Sequence, residues 1–126
     1  ALDLILGDFE HQTGYVIEEN GELAGVFAFI IGPDPTYAEI WDGPGWLNDE
    51  PYGTIHRIAS NGRRKGIFEA CLAFCETKMT NIRIDTHANN SPMLHLVQKN
   101  GFQRCGIIRI ADGTLRIAFH KICTKT

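Results

Sequence analysis

Residues 52–68, YGTIHRIASNGRRKGIF, run an apolar strand pattern into a helix through a basic, glycine-punctuated turn. The strand rests on Ile55, Ile58 and Ala59, and the helix on Ile67, Ala70, Leu72, Ala73 and Phe74. Between them Asn61-Gly62 favours a turn, and Arg63, Arg64 and Lys65 bring three positive charges to the helix start. The first N–H groups of a helix lack intrahelical partners and carry partial positive charge. Such a junction can hold a phosphate or pyrophosphate. Taken alone, a solvated basic turn reads the same way.

The motifs around this turn narrow the choice. Arg63-Arg64-Lys65-Gly66-Ile67-Phe68 resembles the acetyl-coenzyme A loop of the GCN5-related N-acetyltransferases, Arg/Gln-x-x-Gly-x-Gly/Ala. Ile58 lies where that family has an aliphatic residue on the preceding strand. Downstream, NSPMLHLVQKNGF from Asn90 to Phe102 resembles the second family signature, an Asn opening a helix that ends in Lys-x-Gly-Phe. The resemblance covers residues 15–121 and is closest to the bacterial small-molecule type. Two motifs in the family's order are fairly specific.

The resemblance implies an α/β fold with a mixed central sheet of the acyl-CoA N-acyltransferase type. In it a splayed pair of parallel strands, here residues 54–60 and 81–87, binds acetyl-coenzyme A as cosubstrate. The acetyl group then passes directly to a primary amine, an attack that needs positioning, a route for the amine proton and donors facing the oxyanion. Backbone groups around Ile58 and Ser60 would bond the pantetheine, and an N–H near Ile58 or Ala59 would face the thioester carbonyl. The pyrophosphate would sit on the amides of Arg64, Lys65, Gly66, Ile67 and Phe68, with Arg63 and Arg64 adding charge. Phe68 departs from the family's Gly or Ala, which leaves its amide but changes the room beside it. Asn90 would reach the pantetheine or cap the helix it opens; both are compatible. Val97 stands where many relatives have a Tyr that protonates the leaving thiolate, and valine donates no proton.

His56 is the candidate base, placed on the strand beside the thioester with an ordinary pKa near 6.5. A hydrogen-bonded structural histidine is the alternative. Asp85 and His87 share a strand face and are candidates for the acceptor cleft, whereas His95 falls within a helix and reads as structural. The loop acids Glu39, Asp42, Asp49 and Glu50 would favour a cationic acceptor if they faced the cleft. Trp41, Trp46 and Tyr52 would form its wall, or simply be buried. The leading acceptor class is a small-molecule amine. A protein or peptide amine is the runner-up, and a silent coenzyme A-binding module is the reading from another class. A nucleotide P-loop is disfavoured because the turn lacks a Gly-Lys-Ser/Thr ending.

The 126 residues suit one domain, and 44% hydrophobic content with seven Phe and two Trp argues against disorder. A formal charge of −3 gives no support for nucleic-acid binding. No apolar run reaches membrane-span length, and the opening residues lack a basic leader with a cleavage pattern. Cys71, Cys75, Cys105 and Cys123 have no paired metal-ligand spacing and read as buried thiols, so a cytoplasmic location is the simplest expectation and no metal is implied.

These residues must be positioned by a regular framework. Residues 2–10, with Leu2, Leu6 and Phe9 on one face, predict the end of a helix. Strands are predicted over 15–18 and 23–31, joined by the hairpin signal Glu19-Asn20-Gly21-Glu22. Residues 34–51 predict a long ordered loop. Then follow a strand over 54–60, a helix over 66–78, a strand over 81–87, a helix over 90–99 and strands over 102–110 and 115–121. Family members begin with a strand and one or two helices before the first hairpin, so the resemblance implies one N-acetyltransferase domain over 1–126 that is N-terminally incomplete. The hairpin at 15–31 would then lie at or next to an open edge, covered by further residues or by a second subunit in a homodimer.

Overall fold

The computed structural model of the protein describes residues 2–6, 13–63 and 65–123. Its strands are β1 (Leu2–Leu6), β2 (Gly14–Glu19), β3 (Glu22–Ile31), β4 (Gly53–Ser60), β5 (Asn81–Thr86), β6 (Gln103–Arg109) and β7 (Leu115–Ile122); its helices are α1 (Ile67–Lys78) and α2 (Ser91–Lys99). The strands form one mixed sheet in the order β1-β2-β3-β4-β5-β7-β6, parallel only between β4 and β5. This is the mixed α/β sheet that the motifs predict, with element bounds shifted by a residue or two.

Residues 2–10 differ. Leu2–Leu6 is a strand paired antiparallel with β2, not a helix, and the rest of that stretch lies outside the described residues. Leu2, Leu4 and Leu6 also fit a period of two, and the edge of β2 supplies hydrogen-bond partners to this segment. The β2–β3 hairpin therefore sits one strand in from the edge. Its two-residue turn is made by Asn20 and Gly21, both at positive φ (53° and 82°), the geometry that matches strand twist.

Both helices pack on one face of the sheet. In α1 the buried side chains are Ile67, Phe68, Cys71, Leu72 and Cys75, a stripe recurring every three to four residues. Gly25 of β3 lets the helix start come close: a Cβ there would lie 2.7 Å from the Ile67 side chain and 2.9 Å from the Ala59 carbonyl. At the end of α2, Phe102 N–H donates to Val97 O (3.0 Å) and Gly101 N–H to Gln98 O (3.2 Å), with Gly101 at φ 89°. That is a Schellman motif, and it explains why the Lys-Asn-Gly-Phe sequence stops the helix and starts β6. Among the described residues, no helix is long and apolar enough to cross a membrane.

The opposite face is covered by the segment between β3 and β4, which begins with a 3₁₀ turn at Pro35–Tyr37. It docks on β6 through Trp41 N–H to Ile107 O (3.1 Å), Ile107 N–H to Trp41 O (2.7 Å) and Gly45 N–H to Cys105 O (2.9 Å). The approach is close because both partners have glycines. A Cβ on Gly43 would lie 2.4 Å from the Cys105 carbonyl oxygen, and one on Gly106 would lie 2.4 Å from the Trp41 carbonyl oxygen. These are backbone atoms held by their own hydrogen bonds, so they cannot swing aside. Gly43→Ala should lower stability by about 1–3 kcal/mol through overpacking, read as a lower urea midpoint at unchanged slope. An unchanged midpoint would mean that the loop does not seat on β6 this way.

Candidate functional site

β4 and β5 pair only at Gly53↔Ile82 and Thr54↔Arg83, after which they part. The divergence has a local cause. Against β3, the register passes from Ala28↔His56 to Val26↔Ala59, so Arg57 and Ile58 together oppose Phe27. Arg57 stands at φ 52°, the left-handed region. A bulge of this kind bends its strand, here next to the point where β4 leaves β5. Beyond Thr54 the side of β4 facing β5 has no strand to pair with among the described residues, so its backbone donors and acceptors border open space.

That space is a cleft of about 670 Å³. One wall is His56, Arg57 and Ile58 of β4; the other is Ile84, Asp85, Thr86 and His87 at the end of β5, with Asn90 and Met93 of α2 beyond. Asp34 and Thr36 of the segment after β3, and Ile110, Ala111, Asp112 and Arg116 around the β6–β7 hairpin, complete the lining. The cleft thus joins the predicted residues His56, Ile58, Asp85, His87 and Asn90. Ser60, Arg63, Lys65, Gly66, Ile67 and Phe68 are not in its lining; they carry the chain from the end of β4 into α1. Arg64 lies outside the described residues.

Within the cleft His56 Nε2 lies 3.3 Å from Asp34 Oδ2. Asp34 is itself fixed: its Oδ1 accepts from Thr36 N–H (2.9 Å) and Thr36 Oγ1 (2.7 Å), and its own N–H donates to the Tyr52 hydroxyl (2.8 Å). A neutral His56 donating from Nε2 to this carboxylate carries its lone pair on Nδ1. Across the cleft, the Tyr37 hydroxyl donates to Asp85 Oδ2 at 2.6 Å. Burial, then the nearby Asp85 charge, pushes the Tyr37 pKa well above its ordinary value, so Tyr37 remains a donor at neutral pH.

Beneath the cleft, Arg83 is almost fully buried and stacks between two rings, 4.1 Å from the Trp46 centroid and 3.8 Å from that of Tyr52. Its Nη2 donates to Asn48 O (3.0 Å), and burial lowers its pKa. Trp46 and Tyr52, candidates for the acceptor wall, thus turn inward onto this guanidinium, and Trp41 borders a hollow that shares Thr36, Ile110 and Ala111 with the cleft. Of the loop acids, Glu39, Asp42, Asp49 and Glu50 do not line the cleft; Asp42 instead pairs with Arg104 (3.3 Å). The acids that do line it are Asp34, Asp85 and Asp112.

At the start of α1, Gly66 is the N-cap at φ 87°, with no side-chain hydrogen bond capping the helix. The first intrahelical bond is Ala70 N–H to Gly66 O (2.9 Å), so the amides of the first turn precede the helical ladder. Phe68 is buried and its ring lies 6.2 Å from that of Phe102, so its bulk points into the core and away from the turn. Asn90 caps α2, accepting from Met93 N–H (3.3 Å). Val97 is fully buried in the core and does not line the cleft. The four cysteines are buried and free. Among the described residues, no group of three or more His, Cys, Asp or Glu is placed to hold a metal.

Sequence reasoning did not find Asp34 or Tyr37. Asp34 had a local signal, Asp-Pro-Thr, which marks a turn with a capping carboxylate. Its contact with His56 depends on how the whole loop folds back.

The site also contains a pH-sensitive support. His120 of β7 is fully buried, with Nε2 2.9 Å from Asn81 Oδ1 and Nδ1 accepting from Leu47 N–H at 3.2 Å. Burial, then the Arg83 charge, lowers its pKa from 6.5 to about 4. The unfolded chain takes up this proton below pH 6.5 and the folded chain resists it until about pH 4, so stability falls as pH falls through that window. The slope is about 1.4 kcal/mol per pH unit. Urea unfolding at pH 7, 6 and 5 should show this decline, and H120Q should flatten it. Parallel declines in both proteins would assign the effect to other groups.

A model of the acetyltransferase (GNAT) family matches residues 2–102. The crystal structure of a GNAT-family acetyltransferase from Streptococcus agalactiae superposes with a TM-score of 0.81 at 37% identity; the match covers 90% of this chain and 66% of that one. The chain therefore spans just under two thirds of that protein's length. A GNAT-family acetyltransferase from Bacillus cereus superposes with a TM-score of 0.63 at 18% identity over 92% of this chain and 74% of that one. A chain of the NatC complex bound to Gag peptide and coenzyme A gives 0.63 at 18% identity over 88% and 71%. The latter two support the fold alone. No curated protein matched the chain.

Proposed function

Since this chain belongs to the GNAT acetyltransferase family, we propose that it moves an acetyl group from acetyl-coenzyme A to a primary amine of a small molecule, by direct attack in a ternary complex. The observation that carries this reading is the parting of β4 from β5, which opens a cleft with a carboxylate-oriented histidine on its wall. The pantetheine would lie between the strands, bonded by backbone groups of Ile58 and Ser60, with Asn90 at the far wall. The pyrophosphate would rest on the amides of the Arg64-to-Phe68 stretch, with Arg63, Arg64 and Lys65 supplying charge. Gly66 lets that phosphate come close, since the space beside its Cα is empty.

In the reaction, the amine nitrogen attacks the thioester carbonyl carbon and a C–N bond forms. An N–H of β4 near Ile58 or Ala59 stabilises the oxyanion. As the oxyanion collapses, the C–S bond breaks and the thiolate leaves. His56 takes the amine proton, and Asp34 holds the ring and stabilises the imidazolium. A second reading, a coenzyme A-binding module without turnover, draws on Val97: fully buried, it leaves α2 without a proton donor for the thiolate. Acetylation of an amine panel followed by product mass separates the two, since binding without product favours the module.

Two substitutions test the parts. Gly66→Asp should sharply weaken coenzyme A binding by placing a carboxylate against the pyrophosphate, whereas Gly66→Asn, which also tolerates positive φ, should weaken it far less. Calorimetry showing equal affinities for wild type and G66D would remove the phosphate from this turn. H56Q should lower kcat/KM by about tenfold or more at near-constant coenzyme A affinity, and the acidic limb of the pH–rate profile should disappear. Retention of both rate and limb would return His56 to a structural role.

A further inference from the structure

We propose that the acceptor is an amine that also carries an anionic group, of the amino acid class, and that Arg57 holds that group. The inference rests on the acetyl-transfer reading above and adds the identity of the acceptor class.

Three observations meet at this residue. Arg57 lines the cleft directly beside His56 on β4, and also lines a smaller hollow of about 280 Å³ next to it, formed by β2 and β3. It occupies the left-handed region at φ 52°, a conformation that disfavours a long side chain and is maintained by the bulge. Among the described residues its guanidinium makes no hydrogen bond or ion pair. Of the other cations nearby, Arg116 Nη1 donates to Leu115 O (3.4 Å), and Arg83 is stacked between Trp46 and Tyr52.

The carboxylates of the cleft each have a donor on at least one oxygen. Asp34 accepts from Thr36 and lies against His56, Asp85 accepts from Tyr37, and Asp112 accepts from Thr114 N–H (2.8 Å). Arg57, by contrast, offers an anion an unpaired guanidinium with its five donors intact. Arg57 and His56 are neighbours in the chain, so one small molecule can present its anion to the first and its amine to the second. Coenzyme A phosphates are the other source of an anion, and the test separates them.

The test compares acetylation of matched pairs by the full chain: L-amino acids and their decarboxylated amines, such as phenylalanine and phenethylamine. For at least one pair the acid should exceed its amine by about tenfold or more in kcat/KM. In R57Q that preference should collapse by about tenfold or more, mainly through KM of the acid, with calorimetric coenzyme A affinity within about twofold of wild type. R57K, which keeps the charge without the planar fork, should retain part of the preference. Uniform preference for decarboxylated members, no acetylation of any acid, or equal losses for both members of a pair would overturn the proposal. Weaker coenzyme A binding in R57Q would assign Arg57 to the cofactor instead. Failure of the wild type to bind coenzyme A would overturn the underlying reading.

Discussion

The cleft depends on a charge it does not contain. Arg83 lies between the rings of Trp46 and Tyr52 and bonds the Asn48 carbonyl, tying the long segment before β4 to the underside of β5. That segment supplies Asp34 and Tyr37, the groups that fix His56 and engage Asp85. A buried guanidinium without a carboxylate is costly to desolvate, and two aromatic faces with one carbonyl offset part of that cost. Its Nε has no hydrogen-bond partner among the described residues, and neither has the Thr54 hydroxyl at the register position opposite. The orphaned pair marks the last rung before β4 and β5 separate, where packing is subordinated to the opening.

The opening then follows from backbone geometry more than from side chains. One extra residue on β4 against β3 bends the strand, and the parallel neighbour cannot follow. Strand separation normally leaves polar backbone groups exposed to solvent or to a ligand. Here it does so on the strand that leads, through the turn after Ser60, toward the Gly66-capped helix.

Much of this was legible in the sequence. The basic turn into α1 and the Lys-Asn-Gly-Phe helix stop are local devices, in which φ preference and amide geometry are set by the residues themselves. Leu2–Leu6 was not legible, because a short apolar segment takes its structure from the neighbour it meets, and β2 offered an edge. Trp46 and Tyr52 were visible as aromatics needing burial, but not that a buried arginine, rather than an acceptor, would fill the space between them. Nor could the Asp34–His56 pair be read, because it joins two elements through a loop whose course is set by Gly43 and Gly106 meeting face to backbone. The loop acids misled for the same reason: a charge in a loop has no predictable direction until the loop is placed.

The burial of Val97 bears less on turnover than its position suggests, because the two proton transfers are not equally demanding. An alkyl amine with a pKa near that of lysine is neutral in only about one molecule in two thousand at pH 7. It must shed a proton before or during attack. A thiol titrates near 8.5, so a thiolate leaves near neutral pH without full protonation, and an acid for it adds a smaller increment. In the reaction proposed above, the more demanding transfer falls to His56, which lies against Asp34. The hydroxyl that does approach, that of Tyr37, is held by Asp85 with its pKa pushed up, which keeps Asp85 oriented rather than supplying a proton. On this balance, valine at this position of α2 is consistent with the transferase reading proposed above.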